Sequence, residues 1–286
     1  MKSGVLIYAH NNRKIDYALM SLIAGGLAKK NLQVPVSLVT DESTVEWMQE
    51  SNIYKQAQEV FDKIILTDRP KIDNQRRLHD GTTNDVVPFI NADRYSAWEL
   101  TPYNRTLLID SDFLIFSNHL NEYWNVDQDI MIGPAINDIC EQPRIGYHDR
   151  YVSDTGIKLY WATTVMFTKN QNSKFFFDTV KHIKDNYEFY SDLYRFDSRQ
   201  YRNDISFSIA KHIFDGFETV NQINLPPVLT ALDKDILENI EENKLTFLIN
   251  HKLDDTFCAA ALQDIDIHVM NKQSICRHKN QLLELI

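Results

Sequence analysis

The sequence has few of the features that mark a secreted or membrane protein. Its only cysteines are Cys140, Cys258 and Cys276, and no two of them form a CxxC pair. Such scattered thiols are typical of a reducing compartment rather than of a disulfide framework or a zinc site. No stretch approaches the roughly 18 uninterrupted apolar residues that a transmembrane helix needs, and the N-terminus has no recognisable signal peptide. We therefore expect a cytoplasmic protein without a membrane anchor.

An excess of basic charge is also absent. The chain of 286 residues has 30 Lys and Arg against 40 Asp and Glu, a net charge of −10. This balance excludes a basic surface covering the whole molecule, as many nucleic-acid-binding domains have, although a local basic groove remains open. An apolar share of 43% is typical of a globular protein. The length is sufficient for one large α/β domain or two small ones.

Short apolar runs alternate with segments of helical periodicity over the first two thirds of the chain. Strands are predicted at residues 5–9, 34–40, 63–67, 106–109, 129–134 and 161–168. Helices are predicted at residues 15–31, 43–60 and 86–100, with a polar, irregular loop at 69–85. Strands that alternate with helices in this way predict βαβ units, and hence an α/β fold with a mostly parallel sheet flanked by helices.

The most informative segment is Asp110-Ser111-Asp112, which lies inside the apolar run of residues 106–116. In an extended chain, the two aspartates would point to the same face. Burying both charges unpaired would cost on the order of several kcal/mol. A divalent cation such as Mg²⁺ or Mn²⁺, which prefers oxygen ligands, would remove that cost. A solvated turn is the alternative, and the apolar runs on both sides disfavour it.

With this motif the chain resembles the GT-A glycosyltransferases. The resemblance rests on the βα start, on a hydrophobic strand that ends at Asp-x-Asp near residue 110, and on the length of the chain. It implies a Rossmann-like sheet and a nucleotide-diphospho sugar donor, with a UDP-sugar favoured, whose diphosphate is bridged by the metal. It also implies a single domain over residues 1–286. Residues 1–118 would bind the nucleotide sugar, and residues 119–286 would form a less regular acceptor side with the C-terminal metal ligand.

The resemblance implies a metal site built from three side chains. Asp110 and Asp112 would be ligands from the Asp-x-Asp motif, and His268 would be the histidine that completes the site from near the C-terminus. His268 lies at an alternating position of a predicted short strand, so a satisfied surface histidine is the competing interpretation. His278 is the rival candidate for the third ligand.

Nucleotide contacts are expected from two sources. The loop after the first strand should lie at the ligand-binding edge of a parallel sheet, and its candidate residues are Ala9, His10, Asn11 and Arg13. A loop that only caps the next helix is the alternative, with Asn12 or Asp16 as the capping residue. The resemblance adds Asp41 for the base or ribose, Lys272 for phosphate, and Asp110 with Ser111 beside the diphosphate.

Two residues are candidates for catalysis. Asp204 opens a predicted helix after a polar loop, where it would face the acceptor or donor sugar, although an N-terminal acidic residue also suits the helix dipole. Arg94, on the helix before the Asp-x-Asp strand, would reach the phosphates, or else would be a surface arginine. The sequence has residues 162–164 (ATT) where the best-known retaining enzymes of the fold have Asn-Ser-Gly, so retention and inversion both remain open.

Residues 191–202 alternate aromatic side chains with arginines, a pattern that can hold phosphates and stack bases or sugars. The chain also resembles small glycosyltransferases of large tailed bacteriophages, some of which modify hydroxymethylated DNA bases. That resemblance implies an acceptor hydroxyl on phage DNA and a location in the host cytoplasm. A saccharide- or protein-directed glycosyltransferase is the alternative acceptor class.

Other classes of function remain as alternatives to a hexosyl- or pentosyltransferase. A sugar nucleotidyltransferase has the same kind of sheet, but its first loop is usually rich in glycine, whereas residues 9–13 read AHNNR. A non-enzymatic binding module would have no need to retain the three candidate metal ligands. The sequence is compatible with a monomer or a homodimer.

Overall fold

The computed structural model describes residues 2–12, 14–69, 74–79, 84–140, 144–154, 156–197, 199–216, 223–250 and 256–286. Within them the strands, in chain order, are β1 (Ser3–Tyr8), β2 (Val36–Thr40), β3 (Lys63–Leu66), β4 (Gln75–His79), β5 (Asn84–Pro88), β6 (Arg105–Ile109), β7 (Phe113–Leu114), β8 (Ile130–Gly133), β9 (Ile136–Asp138), β10 (Trp161–Thr168), β11 (Val228–Ala231), β12 (Ile236–Glu241), β13 (Lys244–Asn250), β14 (Phe257–Gln263) and β15 (Ile267–Val269). The α-helices are α1 (Tyr17–Leu32), α2 (Glu42–Glu50), α3 (Tyr54–Val60), α4 (Ala97–Leu100), α5 (Gln171–Asp185), α6 (Tyr187–Tyr194), α7 (Asn203–Asp215), α8 (Lys272–Arg277) and α9 (Lys279–Glu284).

The central sheet has six strands in the order β3-β2-β1-β6-β10-β8. Its first four strands are parallel to one another, and β10 and β8 pair antiparallel at the other side. The first four strands are joined by helical or long connections, as parallel neighbours require. The predicted α/β class with a mostly parallel sheet is therefore confirmed.

Helix α1 is buried along most of its length because it packs against β1, β2 and β7 as well as against α2, α3, α8 and α9. An all-round apolar sequence is typical of a helix in such a position. Two glycines permit the close packing, since a Cβ on Gly25 would lie 2.6 Å from the Phe61 ring and one on Gly26 would lie 2.5 Å from Ile286. Asp16 caps the helix by accepting a hydrogen bond from the Leu19 amide at 3.0 Å, as one of the two capping predictions proposed.

A second sheet has four strands in the order β7-β15-β11-β9. The chain leaves the central sheet at the end of β6 and enters the second sheet at β7. The three residues between them are Asp110, Ser111 and Asp112. The motif is thus a turn that connects two sheets, and not part of one continuous strand.

Three predicted elements differ in the structure. Part of the predicted loop at residues 69–85 and the start of the predicted helix at 86–100 form the antiparallel hairpin of β4 and β5. The helical part is confined to a 3₁₀ turn at Arg94–Ser96 and to α4. The predicted helix at 43–60 is two helices, because the chain turns at Asn52, whose φ of 59° is left-handed. Helical periodicity was therefore misleading at residues 86–88, which pair with β4 in the hairpin.

The last third of the chain builds a three-stranded antiparallel sheet, β12-β13-β14, and returns to the central region through β15 and α8. Arg144 anchors this part in the interior by bonding the carboxylates of Asp138 and Asp235 at 2.6 Å each. All three side chains are almost fully buried, so the single positive charge of Arg144 is shared by two carboxylates in a region of low dielectric. Among the described helices, none combines the length and the hydrophobicity needed to cross a membrane.

Candidate metal and nucleotide site

The two aspartates of the turn lie beside His268, as the metal-site prediction requires. Strand β7 pairs with β15 so that His268 lies opposite Phe113, and the Val269 amide donates to the Asp112 carbonyl at 2.9 Å. These main-chain bonds place a residue near the C-terminus against the turn. One ligand atom from each of Asp110, Asp112 and His268 lies within 4.8 Å of the others.

Each aspartate also has a cationic partner. Lys272 Nζ contacts Asp112 Oδ2, and His268 Nε2 lies 3.4 Å from the same oxygen. Burial alone would raise the pKa of Asp112, but the lysine and the histidine outweigh it and hold that pKa well below its usual range. On the other side, Arg94 Nη1 donates to Asp110 Oδ1 at 2.8 Å.

These partners change the reason for expecting a metal. The spacing of the motif suggested two unpaired buried charges, but the protein itself supplies one positive charge to each carboxylate. The burial cost of the motif is therefore already offset in part, and it does not by itself require a cation. The case for a metal depends instead on which donor atoms meet.

The donor set does fit a divalent cation. Two carboxylates and one imidazole form a mixed oxygen and nitrogen set, and the Asp110 side chain is about one-third exposed, at 34%. His268 is buried, and its Nδ1 has no hydrogen-bond partner among the described residues. Metal-binding histidines use one ring nitrogen and usually hydrogen-bond through the other. Asp110, Asp112 and His268 are the residues that would hold the ion.

The cluster lines a cavity of about 370 Å³ at the carboxyl ends of the parallel strands β1 and β6. In open α/β sheets this edge is where ligands bind, and the volume lies within the range of small-molecule sites. Of the predicted site residues, those that line the cavity are Arg94, Asp110, Ser111, Asp112, Asp204, His268 and Lys272.

The buried Arg94 and the half-buried Asn203 bring unpaired polar atoms to the cavity. Arg94 is 3% exposed, and its Nε and Nη2 have no hydrogen-bond partner among the described residues. Asn203 donates from Nδ2 to the Asn91 carbonyl at 2.9 Å, but its Oδ1 is likewise unpaired. Buried polar atoms are normally paired, and each unpaired donor costs about 1–3 kcal/mol. Their presence at one cavity points to a polar ligand.

Asp204 also lines the cavity, from the first turn of α7. Arg202 Nε donates to its Oδ1 at 3.0 Å, Arg202 Nη2 contacts Oδ2, and the Ile205 amide donates to Oδ1 at 2.9 Å. One guanidinium therefore orients the carboxylate. Arg202 itself lines both this cavity and a neighbouring groove.

Tyrosine hydroxyls complete the polar lining. Tyr8 Oη lies 2.9 Å from Ser96 Oγ, and Tyr201 lies beside Asn203 in the wall. Burial raises the pKa of both Tyr8 and Tyr201 well above the usual value. Both phenols are therefore protonated at neutral pH, so they can donate hydrogen bonds but cannot act as bases.

The loop after β1 contacts neighbouring parts of the fold rather than the cavity. Ala9, His10 and Asn11 do not line the cavity, and Asn11 Oδ1 accepts from the Ala18 amide at 2.8 Å in the first turn of α1. Burial lowers the pKa of His10, which keeps its ring neutral. Arg13 lies outside the described residues. A role of this loop in holding the nucleotide stays a prediction.

Asp41 and His278 also have partners of their own. Asp41 caps α2 by accepting from the Thr44 amide at 2.8 Å, and its other oxygen accepts from Arg69 at 2.8 Å. The two ring nitrogens of His278 lie 2.6 Å from Gln281 Oε1 and 2.8 Å from the Leu237 carbonyl. Neither Asp41 nor His278 lines the cavity, and a nucleotide contact by Asp41 stays a prediction.

Sequence reasoning did not single out several cavity residues. Trp161 was predicted only as part of a strand expected, from the resemblance, to line the sugar and acceptor site, and not as an individual site residue; its ring lies 6.2 Å from the ring of His268. Strand β10 has an irregular register against β8 between Trp161 and Val165, and irregularities of this kind often occur next to active sites. Asn203 could have been found from its position directly before Asp204 at a helix start.

Comparisons with known proteins give structural likeness only. No family model matches the sequence, and no curated protein matches it. The chain is similar to the galactosyltransferase LgtC in complex with donor and acceptor sugar analogues, at 15% identity and a TM-score of 0.43, over 72% of this chain and 70% of that one. Mouse xyloside xylosyltransferase 1 gives 12% identity and a TM-score of 0.42, over 75% and 82%. Residues 1–349 of TarS from S. aureus give 15% and 0.36, over 73% and 55%. Scores this low do not establish a shared activity.

Proposed function

We propose that this protein is a metal-dependent glycosyltransferase that moves a sugar from a nucleotide-diphospho sugar to an acceptor hydroxyl. The observation that carries the proposal is the meeting of Asp110, Asp112 and His268 with Arg94 and Lys272 in one cavity. The two carboxylates and the imidazole suit a divalent cation, and the positively charged side chains of Arg94 and Lys272 suit a diphosphate. A binding module would not need both sets at one place.

In the proposed reaction, the acceptor oxygen forms a bond to the anomeric carbon while the bond from that carbon to the phosphate oxygen breaks. The nucleoside diphosphate leaves with the electron pair, and the acceptor proton passes to a carboxylate or to the leaving phosphate. A bound Mn²⁺ or Mg²⁺ would stabilise the charge of the leaving diphosphate. Arg94 would donate from its unpaired nitrogens Nε and Nη2 to the phosphates, and Lys272 would add a further positive charge.

Asp204 is the proposed group on the sugar side. It lines the same cavity as Asp110 and His268, from α7. As a general base it would take the acceptor proton in an inverting reaction, whereas in a retaining reaction it would orient a sugar hydroxyl. Asn203 Oδ1 would accept a hydrogen bond from the same sugar. Because the ligands come from residues on both sides of position 118, we propose one catalytic domain over residues 1–286.

The donor is proposed to be a UDP-sugar, and the acceptor is proposed to be a saccharide. A hydroxymethylated base of phage DNA is the second acceptor class, suggested by the arginines of residues 191–202. The net charge of −10 disfavours a polyanion the size of duplex DNA. Sugar transfer to a saccharide, with no retention of duplex DNA at low salt, would eliminate the DNA alternative.

The direct test incubates the protein with UDP-sugars and Mn²⁺ and measures UDP release with and without saccharide acceptors. We expect UDP release that stops when EDTA removes the metal. Release of pyrophosphate from a nucleoside triphosphate and a sugar phosphate would instead indicate a nucleotidyltransferase. No product from any nucleotide sugar would refute the enzyme assignment.

Variants test the metal assignment separately. Asp112→Asn should lose activity and the rise in Tm that Mn²⁺ causes in the wild type, because it removes one ligand charge. Asp129→Asn is a matched control, since Asp129 bonds Asn170 and Asn172 next to the Thr168 end of β10, away from the cavity. Full activity in Asp112→Asn would contradict the metal assignment.

A further inference from the structure

A groove of about 730 Å³ adjoins the cavity and shares Gln200 and Arg202 with it. Its lining includes three apolar side chains, those of Val152, Phe196 and Ile205. Apolar surface beside polar walls is typical of sites that bind the face and the hydroxyls of a sugar ring. Since Arg202 also orients Asp204, a molecule in the groove lies next to the proposed reacting centre.

Contacts between separate segments of the chain fix the walls of the groove. Ser153 Oγ donates to the Tyr194 carbonyl, which joins the loop after β9 to the end of α6. The ring of Phe196 packs against Tyr187 with centroids 5.1 Å apart. The groove is thus built from described segments that contact one another, and its shape does not depend on a single loop.

Three arginines line the groove, and two of them already have acidic partners. Arg199 makes a two-pronged ion pair with Asp197, and Arg202 pairs with Asp204. The guanidinium of Arg195 has neither a hydrogen bond nor an ion pair to another described residue, and its side chain is exposed. One guanidinium is therefore available to a ligand.

The backbone of Arg195 decides which substitution can test its side chain. Arg195 ends α6 with a φ of 55°, a left-handed conformation in which glycine or asparagine is more usual. Asparagine therefore suits the backbone at this position.

We propose that the groove binds an acidic saccharide acceptor, whose carboxylate or phosphate pairs with Arg195 while its reacting hydroxyl enters the cavity beside Asp204. The inference rests on the glycosyltransferase function proposed above. A saccharide is favoured over a nucleic acid because the groove has room for a few sugar units and because the Asp154 carboxylate lines it together with Arg195. That carboxylate would repel a nucleic acid, which presents a phosphate at every nucleotide, whereas it can accept a hydrogen bond from a sugar hydroxyl.

Binding to the intact protein loaded with UDP and Mn²⁺ tests the proposal without a catalytic assay. The probes are matched pairs: methyl glucoside with methyl glucuronide, methyl galactoside with methyl galacturonide, and glucose with glucose 6-phosphate. We expect the anionic member of at least one pair to bind about three- to tenfold more tightly, as a charge-assisted hydrogen bond at an exposed site should give. The preference should weaken as the ionic strength rises.

Arg195→Asn is the informative variant, because asparagine suits the left-handed backbone and should leave folding unaffected. It should abolish the preference for anionic probes and leave the affinity for UDP unchanged. Gln33→Asn is the matched control, since Gln33 ends α1 with the same φ of 55° and does not line the groove. This control should keep the preference.

The possible failures can be told apart. If UDP with Mn²⁺ does not bind, the proposed function fails. If UDP binds, but neutral and anionic probes bind equally or the preference survives Arg195→Asn, the acceptor inference alone is refuted. Tighter binding of a single-stranded oligonucleotide than of any acidic saccharide, lost in Arg195→Asn, would replace it with a nucleic-acid acceptor.

Discussion

Arg94→Lys should weaken donor binding while leaving the fold about as stable as before. Arg94 is buried, and among the described residues only its Nη1 has a hydrogen-bond partner, Asp110 at 2.8 Å. Lysine keeps a positive charge beside that carboxylate, but it lacks the planar fork that offers Nε and Nη2 to a ligand. The substitution thus removes the two donors that are unpaired in the free protein.

The size of the two effects follows from those contacts. A hydrogen bond to a charged group contributes about 1.5–3 kcal/mol. If the lysine ammonium recovers one of the two bonds to the phosphates, the loss corresponds to about a 10- to 100-fold weaker affinity. In the free protein, removing two unpaired buried donors offsets the poorer packing of lysine. We therefore expect the free energy of unfolding to change by less than about 1 kcal/mol.

The assay compares UDP-sugar affinity by calorimetry in the presence of Mn²⁺ with the free energy of unfolding from urea titration. Arg105→Lys is the matched control. Arg105 is equally buried, but its guanidinium bonds the carbonyls of Gln128, Tyr123 and Val126 and the hydroxyl of Thr168, away from the cavity. The control should lose stability and keep its donor affinity.

The opposite pattern would refute the reasoning. If Arg94→Lys lowers stability by well over 1 kcal/mol and leaves donor affinity unchanged, Arg94 is a structural partner of Asp110 and the diphosphate binds elsewhere.

Three further predictions concern stability and the metal. Arg144→Met should lower the free energy of unfolding by about 3–5 kcal/mol in urea titration, because two buried carboxylates lose their common partner; a smaller loss than 1 kcal/mol would show that the ion cluster is dispensable. Burial tends to raise the pKa of Asp41, but hydrogen bonds from Thr44 and the Arg69 charge hold that pKa below the usual 3.8. The ionised Asp41 therefore contributes stability above the usual pKa, and this contribution is lost as the pH falls through the folded-state pKa. Urea titrations should therefore show a smaller acid-induced loss in Arg69→Ala than in the wild type, and an unchanged loss would contradict this assignment. Finally, His268→Asn should weaken Mn²⁺ binding measured by calorimetry, whereas His278→Asn should leave it unchanged; the reverse would make His278 the ligand.

Local sequence features were sufficient to predict much of the central sheet. Apolar runs bounded by polar residues correctly placed β1, β2, β3, β6 and β10 within a few residues. Parallel strands buried on both faces are continuous apolar runs, and this makes them conspicuous. The hairpin of β4 and β5 was missed because its pairing connects segments that are individually polar, so its formation depends on the partner strand.

The Asp-Ser-Asp motif shows the same limit at the site. Its unusual place inside an apolar run identified the position where the chemistry is concentrated, and the single histidine of a short strand identified a partner. The expected reason, two unpaired charges on one strand face, was incomplete. Arg94 and Lys272 balance the two carboxylates from 16 and 160 residues away along the chain.

The sequence by itself therefore determined the α/β class, the mostly parallel sheet and the position of the two carboxylates along the chain, because periodicity and polarity are local properties of the chain. Only the tertiary structure decided which positively charged side chain pairs with which aspartate, and that His268 meets the turn through the pairing of β7 with β15. It also decided that α7 lines the cavity and that the groove adjoins it. These contacts join residues far apart in the chain, and no local pattern encodes the distance at which distant side chains meet.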